Sequence, residues 1–227
     1  MVYENISPAV FLSRPNRFIA NVLIEGRPFI AHVKNTGRCR ELLISGALVL
    51  VQKAARQGRK TDYDLIAVYK GERLINIDSQ APNKIFSQWL KAGGLGEVPS
   101  LIKAEQRFGD SRFDFYLERG GRRAFAEVKG VTLEENGIAR FPDAPTERGV
   151  KHLCGLIDCL KKGYEAYAVF IIQMDKVHSF EPNRLTHPEF ADTLIQAEKA
   201  GVRLLALDCE VKENSISAQS PVPIHLC

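Results

Sequence analysis

Three residues that could carry out phosphodiester chemistry lie close together in the second half of the chain. Asp114 stands between two phenylalanines, and Glu127 and Lys129 follow 13 and 15 residues later. Two carboxylates can bind a divalent cation, and an ammonium group beside them can orient an attacking water or offset charge on a phosphate. These are the residue types that metal-dependent hydrolysis of a phosphodiester requires.

A predicted hairpin brings these residues together. Residues 118–123, Glu-Arg-Gly-Gly-Arg-Arg, are typical of a tight turn between two strands. Because side chains alternate along a strand, Glu127 and Lys129 share one face. The alternative is a solvated strand with unrelated charges, since short motifs of this kind also occur by chance.

The predicted ligands of a Mg²⁺ or Mn²⁺ ion are Asp114 and Glu127. Glu105, on the preceding predicted strand, is a candidate third acid that would act through a water, and a surface charge opposite Lys103 or Arg107 is its alternative. On the helix after the hairpin, Arg148 and His152 are four residues apart and share a face, so they are candidate contacts to a phosphate or the scissile strand. Their alternative is a solvated helix surface.

Charge is unevenly divided along the chain. Residues 1–80 contain 12 Lys/Arg and 7 Asp/Glu, whereas residues 81–227 contain 19 Lys/Arg and 20 Asp/Glu. The basic excess in the N-terminal third indicates a polyanionic partner, DNA or RNA, and a merely basic surface is the alternative. The candidate nucleic-acid contacts in this third are Arg14, Arg17, Lys34, Arg38, Arg40, Lys53, Arg56, Arg59 and Lys60.

The elements expected around these residues form two domains. Six short predicted strands with glycine-containing turns fill the first part and suggest a small closed barrel of the oligonucleotide-binding (OB) type. Residues 78–83 mark the predicted boundary, which gives domains at 1–80 and 81–227. The second has the order helix, three strands, helix, strand, helix, strand, which predicts a mixed-sheet α/β (α+β) domain. The polar tail after residue 210 is expected to be loosely ordered.

Composition narrows the class of protein. The 227 residues are 45% hydrophobic and 26% charged, which is typical of a soluble globular protein. The sequence shows no apolar run of membrane-spanning length and no secretion signal, so no membrane partner is expected. Five cysteines, an odd number, do not suggest a disulfide framework, and a reduced cytoplasmic compartment is therefore expected.

Four stretches of the chain resemble the sugar fermentation stimulation protein family, SfsA. They are HVKNTGR (32–38), SRFDFYL (111–117), EVKGVTL (127–133) and FPDAPTERGVKHL (141–153). The resemblance covers essentially the whole chain and implies an OB-type barrel joined to a nuclease-like domain of the PD-(D/E)xK kind. It places Asp114, Glu127 and Lys129 on that motif's Asp, Glu and Lys. Bacterial members of the family are described as DNA-binding proteins with a role in maltose metabolism.

Two features depart from the nuclease pattern. Phe113 stands where the motif has Pro, and the first helix of the second domain lacks an additional Glu that many such nucleases carry. The first expectation is therefore a DNA-binding protein, and the basic N-terminal part supports it. Little sequence preference is expected, since no base-reading element such as a helix-turn-helix is visible. A role in regulating sugar (maltose) metabolism is implied by the resemblance alone. The alternative is a Mg²⁺-dependent nuclease that acts on DNA or RNA through Asp114, Glu127 and Lys129.

Overall fold

The computed structural model describes residues 1–35, 37–54 and 61–226. The first six strands form one sheet in the order β3-β2-β1-β4-β5-β6, and parallel pairing of β3 with β5 closes five of them into a barrel. Closure pairs strand edges that would otherwise be exposed. The OB-like barrel predicted from the sequence is therefore confirmed. Its strands are β1 (Ile6–Asn16), β2 (Ile19–Ile24), β3 (Arg27–Val33), β4 (Leu48–Lys53), β5 (Tyr63–Lys70) and β6 (Arg73–Asn76).

The rest of the chain forms a mixed-sheet α/β unit, as predicted. Its main sheet has the order β15-β14-β12-β9-β8-β7, in which β9, β12 and β14 are parallel, and a small sheet contains β10, β11 and β13. The elements are α1 (Ala81–Lys91), β7 (Leu101–Phe108), β8 (Ser111–Arg119), β9 (Arg122–Val131), β10 (Leu133–Glu135), β11 (Ile138–Phe141), α2 (Glu147–Lys161), β12 (Glu165–Ile172), β13 (Ser179–Pro182), α3 (Pro188–Ala200), β14 (Arg203–Lys212) and β15 (Ser215–Pro221).

The helices cover opposite faces of the main sheet. Phe86 of α1 packs in one apolar cluster with Val128 of β9, whereas Leu156 of α2 packs in the other cluster with Phe125 and Phe170. Each helix buries the apolar stripe that its sequence spacing provides. None of the described helices is long and apolar enough to cross a membrane.

The expectation of a loose tail was wrong. Strand β14 runs to Lys212, and β15 returns along it in antiparallel pairing. The side chain of Ile216 is fully buried, which gives β15 one apolar anchor among polar neighbours. Backbone hydrogen bonds join Tyr3 to Asn214 and Ile216 to Met1, so the first residues of the chain pack on the α/β unit.

A buried ion cluster joins the barrel to the α/β unit. Glu134 on β10 pairs with Lys70 Nζ at 2.8 Å and with Arg73 at 2.9 Å, and it accepts the Gly137 N–H at 2.6 Å. Burial would raise the pKa of Glu134, but these hydrogen bonds and charges outweigh it and lower the pKa to about 2. Glu134 is therefore an anion held between the two units.

Candidate active site

Asp114 lies where strands β8 and β9 stop pairing. Their regular pairing ends at Phe115 opposite Ala126, and the next two residues in that register are Asp114 and Glu127. Here the Asp114 carboxylate replaces a backbone acceptor, because its Oδ2 accepts the Val128 N–H at 2.8 Å. The predicted hairpin thus brings the two acids to opposite positions on adjacent strands.

Asn83, in the first turn of α1, fixes the other oxygen of Asp114. Its Nδ2 donates to Asp114 Oδ1 at 2.9 Å. Sequence reasoning missed this residue. The proline before it indicated where the helix begins, but nothing in the spacing showed that the next side chain would reach strand β8.

The two oxygens of Glu127 have different surroundings. The side chain is buried, and its Oε1 contacts Lys129 Nζ at 2.6 Å and also His152 Nδ1. Its Oε2 is buried and has no hydrogen-bond partner in the part of the chain that the structure describes. An unsatisfied buried carboxylate oxygen is costly, and a divalent cation shared with Asp114 would satisfy it. These residues therefore fit a hard metal ion.

Helix α2 brings Arg148 and His152 to the same site. The helix begins after Thr146, whose Oγ1 accepts the Gly149 N–H at 3.1 Å. Arg148 Nε donates to His152 Nε2 at 3.4 Å. Because Nε2 accepts, the neutral ring carries its proton on Nδ1 and donates it to Glu127. The helix face predicted from the spacing is thus directed at the carboxylates.

The pKa values of Asp114 and Glu127 are shifted in opposite directions. Burial and the charge of Glu127 raise the pKa of Asp114, although the Val128 N–H partly offsets them. Burial would also raise the pKa of Glu127, but His152 and Lys129 outweigh it and lower that pKa. Glu127 is therefore the stronger acid, and Asp114 keeps its proton to higher pH.

Glu105 lies on β7, next to the strand of Asp114, but its carboxylate is at the surface. Its side chain is 53% exposed and pairs with Arg112 Nε at 2.7 Å. This is a surface charge pair of the kind named as the alternative. The structure brings Asp114, Glu127 and Lys129 together without a contact from Glu105 among the described interactions.

Arg14 organises the loop that follows β3. Its guanidinium donates to the backbone carbonyls of Gly37, Arg38, Arg17 and Asn35 at 2.7–2.9 Å. These bonds occupy most of the donors of Arg14. Arg14 therefore holds the surrounding backbone in place and has few donors left for a ligand.

Three other arginines are exposed beside that loop. Arg17, Arg38 and Arg40 form no side-chain ion pair with any described carboxylate. Lys34 differs from them, because its Nζ pairs with Asp64 at 2.9 Å and its charge is locally neutralised.

The remaining basic candidates of the barrel lie elsewhere. Lys53 is exposed at the end of β4, next to the pairing of Gln52 with Ile6 at the start of β1. Arg14 lies eight residues after Ile6 along β1, which is roughly 25 Å at the usual rise of a strand. Lys53 and Arg14 are therefore at opposite ends of that strand. The other predicted contacts, which lie outside the described residues, are Arg56, Arg59 and Lys60.

Comparison with known proteins identifies the family. The family model described as "SfsA N-terminal OB domain" matches residues 12–77, and "Sugar fermentation stimulation protein RE domain" matches residues 80–215. The chain belongs to the SfsA family. It is 62% identical to the sugar fermentation stimulation protein homolog of Desulfitobacterium hafniense (strain DSM 10664 / DCB-2), over 100% of this chain and 99% of that protein. The homolog of Clostridium beijerinckii is 54% identical over 100% of both chains.

A solved SfsA structure has the same fold. The structure of Pyrococcus furiosus SfsA in complex with Ca²⁺ superimposes with a TM-score of 0.90 and 32% identity, and the match covers 99% of this chain and 98% of that one. That protein is described as a Ca²⁺ complex.

A second group of acid and histidine side chains in this SfsA chain could hold a metal ion. The ligand atoms of Glu147, His187 and Glu189 lie within 4.8 Å of one another. However, the Thr146 N–H donates to His187 Nδ1 at 3.3 Å. The neutral ring then carries its proton on Nε2, the nitrogen that faces the two glutamates, so a cation must displace that proton. At the Asp114–Glu127 pair, by contrast, Glu127 Oε2 has no hydrogen-bond partner among the described residues.

Proposed function

We propose that this SfsA-family protein is a metal-dependent nuclease that hydrolyses phosphodiester bonds of DNA or RNA at Asp114, Glu127 and Lys129. One observation carries the proposal: Glu127 Oε2 is buried and has no hydrogen-bond partner among the described residues, and the register of β8 and β9, continued one step beyond Phe115 and Ala126, sets Glu127 opposite Asp114. The Ca²⁺ complex of the Pyrococcus furiosus relative, at 32% identity, supports a cation site in this fold.

Each group at the site has a distinct role in this proposal. Asp114 and Glu127 would hold Mg²⁺ or Mn²⁺, which lowers the pKa of a coordinated water and polarises a phosphoryl oxygen. Lys129 lies against Glu127 Oε1, where its ammonium group can offset the negative charge that develops on the phosphate. His152 holds the same Oε1 through its Nδ1 proton and thereby leaves Oε2 available.

The test is cleavage of labelled DNA and RNA by purified protein in Mg²⁺ or Mn²⁺. Glu127→Gln and Asp114→Asn keep the side-chain shapes and remove the anions, so each should lower the rate about 100-fold or more. Matched controls are Glu210→Gln and Asp158→Asn, whose carboxylates form surface pairs with Lys212 and Lys161. Cleavage that persists undiminished in both site variants, or no cleavage with either metal, would overturn the proposal.

The second candidate function is nucleic-acid binding without cleavage and with little sequence preference. The side chains of Arg17, Arg38 and Arg40 favour it, because they are exposed, have no ion-pair partner in the described part of the chain, and are of the type that contacts phosphates. In that case affinity falls steeply with salt, and removing the negative charge of Asp114 leaves binding equal or tighter. A role in maltose metabolism remains an expectation from the family resemblance.

A further inference from the structure

A groove of about 760 Å³ runs between the barrel and the α/β unit. One wall carries Arg17, Arg38 and Arg40 from the barrel, and the other consists of residues 141–146, the segment before α2. We call this feature the arginine groove. None of the roles proposed above for the carboxylate site uses it.

The arginine groove is positively charged and partly apolar. The side chains of Arg17, Arg38 and Arg40 are exposed and have no described ion-pair partner. The acid among its described lining residues is Asp143, and the Arg38 backbone N–H occupies that residue's Oδ2 at 2.9 Å. Phe141 adds an aromatic surface. Positive charge along a groove with an aromatic wall suits a phosphate backbone whose bases are unpaired and free to stack.

A smaller cavity of about 180 Å³ adjoins the groove. Gly37, Phe141 and Asp143 line both cavities, and Gly130, the residue after Lys129, lines the smaller one. A side chain at Gly37 would put a Cβ 2.6 Å from Asp143 Oδ2, so the close approach of the two walls at this point requires glycine.

Helix α2 gives the spacing between the groove and the carboxylate site. Thr146 lines the groove, and His152, six residues later, contacts Glu127. Six residues of α-helix span about 9 Å. The groove wall at Thr146 is therefore about that far along the helix from the residue that contacts Glu127.

We propose that the arginine groove binds one strand of nucleic acid and directs it to Asp114 and Glu127, so that the substrate is single-stranded. This inference rests on the proposed nuclease function for its purpose, but strand binding can be measured without cleavage. An unpaired strand can place its phosphates on Arg17, Arg38 and Arg40 and stack a base on Phe141, whereas the bases of a duplex are already stacked on one another.

The test is fluorescence anisotropy of labelled oligonucleotides of about 12 nucleotides, within the range of site sizes of OB folds. The probes are single-stranded DNA, single-stranded RNA and a DNA duplex of the same sequence. The measurement is made with EDTA, so that metal-dependent hydrolysis cannot shorten the strand. The protein should bind at least one single-stranded probe about tenfold or more tightly than the duplex.

The triple variant Arg17→Ala, Arg38→Ala, Arg40→Ala should lose most of that affinity. Each lost phosphate contact should also reduce the slope of log K against log salt by about 0.7. The control is Arg122→Ala, an exposed arginine paired with Glu165 at the other end of β9. Equal or tighter binding of the duplex, or a triple variant that binds like the control, would overturn the inference.

Failure of this inference is distinguishable from failure of the proposed nuclease function. Single-strand binding that depends on the three arginines, without cleavage in Mg²⁺ or Mn²⁺, would support strand binding by the groove and refute the nuclease function. Cleavage that depends on Glu127, with a preference for duplex, would support the nuclease function and refute single-strand binding by the groove.

Discussion

The carboxylates of Asp114 and Glu127 differ in their affinity for protons, and a bound cation would compete with those protons. Burial and the charge on Glu127 raise the pKa of Asp114, whereas His152 and Lys129 lower that of Glu127 despite its burial. A cation binds best when both groups are ionised, so protons compete with it most strongly at Asp114, whose pKa is the raised one.

Metal affinity is therefore expected to rise with pH. As the pH increases through the raised pKa of Asp114, the proton leaves and the affinity for Mn²⁺ should increase, and above that range it should level off. Isothermal titration calorimetry at a series of pH values measures this, with proton release detected from buffers of different ionisation enthalpy. An affinity that is flat over the whole range would contradict the assignment of Asp114 as a ligand.

We expect His152 to affect metal binding and cleavage by holding Glu127 in position, without contacting the substrate. Replacing it by Ala removes the proton that holds Glu127 Oε1, and loss of such a support typically lowers metal affinity or activity about 10–100-fold. The measurements are Mn²⁺ binding and the cleavage rate, with thermal melting as a check on folding. A folded variant with unchanged Mn²⁺ affinity would be evidence against this role.

At the residue scale the sequence predicted the groups that lie along single elements. Asp114 and Glu127 meet because a hairpin has one simple register, and Arg148 and His152 share a face because they are one helical turn apart. Asn83 comes from a different element, and its contact depends on how α1 docks on the sheet. No spacing rule contains that information.

Among the elements, α2 has the largest effect on the site, because its N-cap Thr146 borders the groove and its second turn supplies His152. The helix starts with the Thr146 Oγ1 cap on the Gly149 N–H. Thr146→Ala should cost about 1 kcal/mol of stability, as loss of such caps usually does, and should also lower cleavage by loosening Arg148 and His152. Urea denaturation measures the first effect, and Thr146→Ser, which keeps the oxygen, is the control. Equal stability of the two variants would show that the cap contributes nothing.

The elements that the sequence did not predict are those with little apolar signal of their own. The small sheet of β10, β11 and β13 consists of strands of three or four residues, too short for a recognisable period. Strand β15 reads Ser-Ile-Ser-Ala-Gln-Ser-Pro, which is mostly polar. It is ordered because pairing with β14 satisfies its backbone and Ile216 enters the core. Such tertiary pairing outweighs local propensity.

Across the whole molecule, the barrel and the α/β unit must keep a fixed relation if one strand is to pass from the groove to the carboxylates. The buried Glu134 cluster with Lys70 and Arg73 supports that relation, and so does Gln173, which donates to Asn76 Oδ1 at 2.8 Å. Sequence reasoning missed both, because each pairs residues that are far apart along the chain.

Glu134→Gln should destabilise the protein at neutral pH by about 2–4 kcal/mol, because it leaves Lys70 and Arg73 without their anion. The pKa of Glu134 is lowered to about 2 from its ordinary 4.5, so its contribution is complete above the ordinary value and is lost as the pH falls towards 2. Urea denaturation of both proteins, at neutral pH and near pH 3, measures the difference. A gap that does not narrow in acid would refute the ion-cluster explanation.

The most direct test of the central claim is a crystal of this protein soaked in Mn²⁺ and examined by anomalous diffraction. The proposal predicts an anomalous peak between Asp114 and Glu127 Oε2, and its loss in Glu127→Gln crystals treated in the same way. No peak at these carboxylates, or a peak confined to Glu147, His187 and Glu189, would contradict it.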